Sequence, residues 1–187
     1  MAKKPTEFML GSRTRASYVH LLDQTSVDGG KPHYACSFLI PKDDAKSIEA
    51  VKKALRAAYA EGQEKLKGTG KTVPAFESLK NPLRDGDVEF PDRPEYKNCY
   101  FLNANNYARK PAVVDSELNE IDDPNEIYSG MYCKAFCSAY VFNRGVNKGL
   151  AISLEHVMKV GDGERLGGSP TSIKDAFSDD DEEEILS

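Results

Sequence analysis

The stretch Met131 to Phe142, MYCKAFCSAYVF, alternates two kinds of side chain. Successive residues of a strand point to opposite faces, so the alternation writes two different surfaces onto one element. One face carries Met131, Cys133, Ala135, Cys137, Ala139 and Val141, all uncharged and small or apolar, which suits the inside of a tightly curved sheet. The other carries Tyr132, Lys134, Phe136, Ser138, Tyr140 and Phe142, four rings with one lysine and one serine among them. Two arrangements satisfy this pattern. The sheet is covered on both sides, with the rings under a helix and the Lys134 stem reaching an edge. Alternatively the ring face looks outward, and a row of exposed rings marks a binding surface.

The rest of the chain supplies the partners such a strand needs. ASYVHLL and HYACSFLI read as two strands joined by a loop with Asp28-Gly29-Gly30 as its turn, the second stopped by Pro41. DDAKSIEAVKKALRAAYAEG is the one clear helix. Asp43 or Asp44 caps it, Ile48, Val51, Leu55 and Ala58 share a face, and Gly62 begins its end. Residues 67–96 are rich in Gly, Pro, Asp and Asn without a sustained period, and read as a long loop or insertion. YKNCYFLNAN and PAVVD return to strand character, and MYCKAFCSAYVF with LAISLEHVMKV make a second hairpin through NRGVNKG. Several strands and one helix point to a small β-barrel or to a sheet with a helix packed on it.

Charge is divided unevenly. The formal net charge is −5, but the last thirteen residues, Asp175 to Ser187, hold seven acids and no base. The remainder is therefore mildly basic, with 25 Lys and Arg against the 23 acids left of 30. Such asymmetry fits a nucleic-acid binder with an interaction tail, or a plain solubilising tail. The run Asp179, Asp180, Asp181, Glu182, Glu183, Glu184 ends in a short apolar stub, Ile185 and Leu186. No core accepts that many like charges, so the segment belongs in water.

If the ring face is outward, single-stranded nucleic acid gives it a use. Every base has a π-face, and stacking on an aromatic ring is worth about 1–3 kcal/mol per base. Tyr132, Phe136, Tyr140 and Phe142 are then the stacking candidates, with Lys134 meeting phosphate. Arg144 and Lys148 in the following turn extend the charge. Tyr107, Arg109 and Lys110 repeat the mixture of ring and base on a loop, and Arg13, Arg15 and Tyr18 do so on the first strand. An anionic tail tethered near such a surface competes with nucleic acid at high effective concentration, and salt weakens both contacts.

Other chemistries find less support. The four cysteines form no C-x-x-C pair and read as reduced small hydrophobes. Cys133 and Cys137 share a face, but four strand residues separate them by about 13 Å, too far for one zinc with ligands at about 2.0–2.3 Å. There is no G-x-x-x-x-G-K-[ST] loop, and no apolar run approaches a membrane span of roughly 18 residues. No metal and no cofactor are expected. The loop acids of LRDGDVEFPD and DSELNEIDDPNE keep a magnesium-dependent nuclease as an alternative, beside an acidic protein-interaction module such as a DNA mimic or assembly factor.

The ordered series SYVHLL, FLIPKDD, IYSGMYCKAFCSAYVF, NKGLAISLEHVMKVGDGERLGG and DAF before an acid run resembles a family of tailed-phage single-stranded-DNA-binding proteins, first catalogued as a domain of unknown function. The resemblance spans nearly the whole chain. It implies an OB-fold core, nonspecific binding of single strands and a regulatory acidic C-terminus. Many single-strand-binding tails of this acidic pattern end in phenylalanine, whereas this one ends Ile185-Leu186-Ser187.

The expectation is therefore a mainly β chain with one principal helix: an OB-fold-like five-stranded β-barrel with a long insertion over residues 1–166, and a disordered acidic tail over 167–187. Its partners are single-stranded DNA and, through the tail, replication or recombination proteins. It acts in the cytoplasm of an infected bacterial host, without chemistry of its own and without a membrane; self-association is left open.

Overall fold

The computed structural model describes residues 3–166 of the chain. The tail expected over 167–187, with the partner-binding residues Asp179 to Leu186, lies outside the described residues.

Five long strands close into a barrel. Strand β1 (Glu7–Thr25) pairs antiparallel with β2 (His33–Pro41) on one side and with β6 (Tyr132–Arg144) on the other. Strand β4 (Cys99–Asn106) pairs with β2, and β7 (Asn147–Gly161) with β6. A short parallel contact of Ala104 and Asn105 in β4 with Ile152 and Ser153 in β7 closes the ring. Two small strands, β3 (Arg84–Asp85) on β4 and β5 (Ala112–Val114) on β7, widen the sheet at its edges. Closure removes the exposed edges that an open sheet of this size would present.

The inside is filled as the alternation of β6 requires. Cys133, Ala135, Cys137, Ala139 and Val141 are buried, alongside Phe8, Leu10, Phe38, Leu102, Leu154 and Val157. Burial pushes the Cys133 thiol up to about 12 and those of Cys36 and Cys137 well above the ordinary range. Thiols held protonated in this way behave as small apolar side chains.

Helix α1 (Ala45–Glu61) packs mainly on β1 and β6. Asp44 caps it, accepting from the Ser47 amide at 3.2 Å and from Ser47 Oγ at 2.7 Å. Ser47 Oγ in turn accepts from the Gly11 amide at 2.8 Å, which ties the start of the helix to the middle of β1. Ile48, Val51, Leu55 and Ala58 are on the buried face, and Gly62 ends the helix before the short α2 (Gln63–Lys67).

Two features differ from the sequence reading. Strand β1 begins at Glu7 rather than near Ala16. Phe8 and Leu10 bury themselves against β6, and a register shift between Leu10 and Thr14 then swings the strand toward β2; the residues Gly11, Ser12 and Arg13 at that bend hide the apolar period. The insertion over 67–96 is also more built than a loop. It holds 3-10 turns at Phe76–Ser78 and Pro94–Tyr96, strand β3 and a short helix α3 (Gly86–Glu89). Lys42, at the end of β2, fastens it through Asp85 and Asp87, each 2.8 Å from its Nζ.

The last described residues form a strap. Gly163 N donates to Tyr128 Oη at 3.0 Å, Tyr128 Oη to Asp162 at 2.8 Å, Arg15 to the Glu164 carbonyl at 2.6 Å, and Leu166 N to the Ser129 carbonyl at 2.9 Å. Gly130 makes this crossing possible. Its φ is +113°, and a Cβ there would meet the Glu164 carbonyl oxygen at 2.0 Å.

Candidate nucleic-acid interface

An open groove of about 750 Å³ lies over the outer faces of β1, β2 and β4. Its floor follows from strand register. Ala35 and Ser37 of β2 lie opposite Asn105 and Asn103 of β4, so small and amide side chains occupy the middle. The exposed rings of Tyr18 on β1 and Tyr107 beyond β4 flank them, while the buried rings of His33, Tyr96 and Phe101 and the partly buried Phe90 of the insertion form the walls.

Each ring is held by a specific local device. Tyr18 has a φ of +47° at a register shift between Ser17 and His20. A non-glycine residue in the left-handed region at a bulge is a strained device that re-aims a side chain. Here the Tyr18 ring is turned outward, 55% exposed. Arg93 holds it from the insertion, donating to its hydroxyl at 2.6 Å with the guanidinium 5.6 Å from the ring centroid. Tyr107 stacks on His33 with centroids 4.5 Å apart. The preceding Asn106 is buried; its amide donates to the Leu154 carbonyl at 2.8 Å, and its Oδ1 accepts from Ala108 N and Arg109 N. That one side chain fixes where the loop leaves the barrel. Phe90, Tyr96 and Phe101 pack on one another with centroids 4.6–5.5 Å apart, and Leu39 and Leu166 join them.

The cations around the groove differ in availability. Arg84 pairs with Glu89 and Arg93 with Glu95. Arg144 and Lys31 line the groove and have no ion-pair partner among the described residues. A second depression, lined by Arg13, Arg15, Leu39, Pro41, Glu95, Cys99 and Tyr132, continues the same outward line of β2.

The ring face of β6 is turned away from the core, yet it does not form one platform. Strand twist and barrel curvature fan the row over several surfaces. Tyr132 sits in the second depression with the Arg15 guanidinium 5.4 Å from its ring. Lys134 and Phe136 face a separate apolar hollow with Met9, Leu118 and Met158, where Phe136 stacks on His156. Tyr140 is 39% exposed and does not line the main groove. Phe142 lies against Gly149. Of the expected residues, Tyr18, Tyr107 and Arg144 line the main groove itself.

Several expected cations are already engaged. Arg13 pairs with Asp43 at 2.9 Å. Arg15 donates to the carbonyls of Gly130 and Glu164. Arg109 pairs with Glu155. Burial pushes the Glu155 pKa up, but hydrogen bonds from Ser153 and Arg109 and the Arg109 charge outweigh it, so the carboxyl stays below the ordinary range. Lys110 is exposed on the loop between β4 and β5, and Lys148 lies opposite Asn143 in the β6–β7 hairpin. Groove residues that the sequence reading did not assign to it include Lys31, Arg84, Phe90, Tyr96, Phe101, Asn103 and Asn105. Among the described residues no group of three or more His, Cys, Asp or Glu is placed to hold a metal, and no helix is long and apolar enough to cross a membrane.

The sequence model of the single-stranded-DNA-binding protein of Enterobacter phage Enc34 matches residues 6–186. The chain belongs to that family. Its fold is similar to the solved structure of the bacteriophage Enc34 protein in complex with single-stranded DNA, with a TM-score of 0.68 and 30% identity over 87% of this chain and 90% of that one. A second structure of the Enc34 protein gives 0.65 and 28%, covering 92% and 90%. At 21% identity, gp2.5, the single-stranded-DNA-binding protein of bacteriophage T7, shares the fold, with a TM-score of 0.62 over 95% of this chain and 94% of its own. No curated protein matches the chain.

Proposed function

We propose that the chain is a sequence-nonspecific single-stranded-DNA-binding protein that coats strands during phage replication or recombination in the host cytoplasm. The observation that carries this is the groove over β1, β2 and β4, where the exposed rings of Tyr18 and Tyr107 flank a floor of small and amide side chains and Arg144 and Lys31, without ion-pair partners among the described residues, stand beside them. Nonspecific binding needs that combination: ring faces for bases and positive charge for the backbone. Membership of the Enc34 family supports the same ligand.

Tyr18 and Tyr107 stack bases, and Tyr140 does so outside the groove. Arg144 and Lys31 meet phosphates. The strand continues past Leu39 into the second depression, where Tyr132 offers a further ring. The acidic segment Asp175 to Glu184 competes for the same cations when no strand is bound.

The test is a gel shift with single- and double-stranded oligomers of equal length. A shift of the single strand at concentrations that leave the duplex free supports the proposal. No shift of either overturns it and favours a protein-interaction module; cleavage with magnesium favours a nuclease.

A further inference from the structure

Helix α1 turns a second charged surface outward. A depression of about 650 Å³ lies between it and the chain entering β1, and no residue lines both this depression and the main groove. Lys3, Lys4, Lys46, Lys52, Lys53 and Arg56 surround it, against the acids Glu7 and Glu49. Arg56 is engaged, lying over the Phe76 ring and 3.8 Å from Glu77. The five lysines are exposed and have no ion-pair partner among the described residues. Pro5, Ala50 and Ala54 give the depression an apolar floor.

This chemistry selects between polyanions. Single-stranded DNA without sequence preference is held by ring faces as well as charge, and no ring lines this depression. An acidic peptide with an aliphatic end needs only cations and a small apolar floor. The chain itself carries one: Asp175 and Asp179 to Glu184, followed by Ile185 and Leu186. That segment is rooted at Leu166, which packs beside Tyr96 and Phe101 of the strand-binding groove. The twenty-one residues 167–187 reach up to about 70 Å when extended. A segment of that length is long enough to meet another molecule on the same strand.

We propose that the α1 depression binds the acidic segment 175–187 of a neighbouring copy on the same strand; this rests on the single-strand-binding reading above. The contact joins two different surfaces, so it propagates as an open chain rather than closing as a dimer. It links successive copies along DNA and makes coating cooperative.

Charge exchange tests it with the full chain. One variant carries Lys46→Glu, Lys52→Glu and Lys53→Glu. A second carries Glu182→Lys, Glu183→Lys and Glu184→Lys. Binding is measured on a short dT oligomer that holds one copy and on a long one that holds several. Wild type fills the long strand cooperatively, and each variant alone loses about tenfold in cooperativity, as expected for removing and reversing several exposed ion pairs. An equimolar mixture of the two regains it, because each acidic surface then faces a basic one on a different molecule. The α1 variant binds the short oligomer as wild type does.

Noncooperative filling by wild type, or a mixture that gains nothing over its components, overturns the proposal. So does weaker short-oligomer binding by the α1 variant, which marks the depression as a DNA site. Loss of all short-oligomer binding by wild type is a different failure, that of the single-strand reading itself.

Discussion

Replacing Tyr107 with alanine removes a ring that does two jobs of different size. Within the protein it stacks on His33 at 4.5 Å while remaining 40% exposed. A buried aromatic pair is worth about 0.5–1.5 kcal/mol beyond area burial, and exposure places this one toward the low end. In a chain of this length 1 kcal/mol corresponds to about 2–4 °C in Tm, so the Tm falls by a few degrees at most. Toward a strand, the open face of Tyr107 supplies one stacking site, worth about 1–3 kcal/mol, or about 5- to 150-fold in Kd. Fluorescence anisotropy with a labelled dT oligomer at fixed salt reads that loss. Tyr107→Phe keeps the ring and stays within about twofold of wild type. No charge changes, so the dependence of affinity on salt keeps its slope. An alanine variant that is folded and binds as tightly as wild type refutes the groove assignment.

Four further outcomes follow. Arg144→Ala lowers affinity for all sequences alike and reduces the log–log salt slope by about 0.7, the value for one phosphate contact on a single strand. Asn106→Ala leaves the Leu154 carbonyl and two loop amides without their partner. It costs about 1–3 kcal/mol by thermal unfolding and weakens dT binding as well, because Tyr107 loses its support. A chain ending at Lys174 binds dT oligomers more tightly than the full chain at low salt, with the difference shrinking as salt rises; equal affinities at low salt remove the competition by the acidic segment. Lys42→Met exposes the electrostatic role of the insertion clasp. The hydrogen bond from Lys42 lowers the pKa of both Asp85 and Asp87, so their contribution is present above the unfolded carboxylate value of about 3.9 and is lost on acidification. Hydrogen bonds to the same acids raise that of Lys42, so its contribution is present below the unfolded lysine value of about 10.4 and is lost as pH climbs through the raised one. The Tm difference between wild type and variant is accordingly flat from about pH 5 to 9 and narrows below about pH 4.

Much of the barrel was legible because strand patterns are local. The β6 alternation gave the inner face residue by residue, and Cys133 to Val141 are buried as it requires. The α1 cap, apolar face and end were equally local, as were both hairpins. The site was less legible because it is assembled across strands. Four rings in sequence on β6 suggested one platform, but a strand winding around a closed barrel shows successive outward residues to different neighbours. Tyr132 consequently meets Arg15 and Phe136 meets His156, while Tyr140 stands 39% exposed. The groove instead draws on β1, β2, β4 and the insertion. Ala35 and Ser37 matter there because they are small, and Asn103 and Asn105 because of the register with β2, which no single segment reveals. The bulge that turns Tyr18 outward also breaks the strand period, so it is invisible to a pattern that assumes one.

Where the bases of a bound strand lie, in the groove over β1, β2 and β4 or elsewhere, can be mapped chemically. Photocrosslinking of the full chain to a single strand containing halogenated uracil, followed by mapping of the attached peptides, does so most directly. Adducts are expected at Tyr18 and Tyr107, with Tyr132 or Tyr140 appearing on longer strands. Adducts confined to the hollow around Phe136 and Met158, or to helix α1, would contradict the groove assignment.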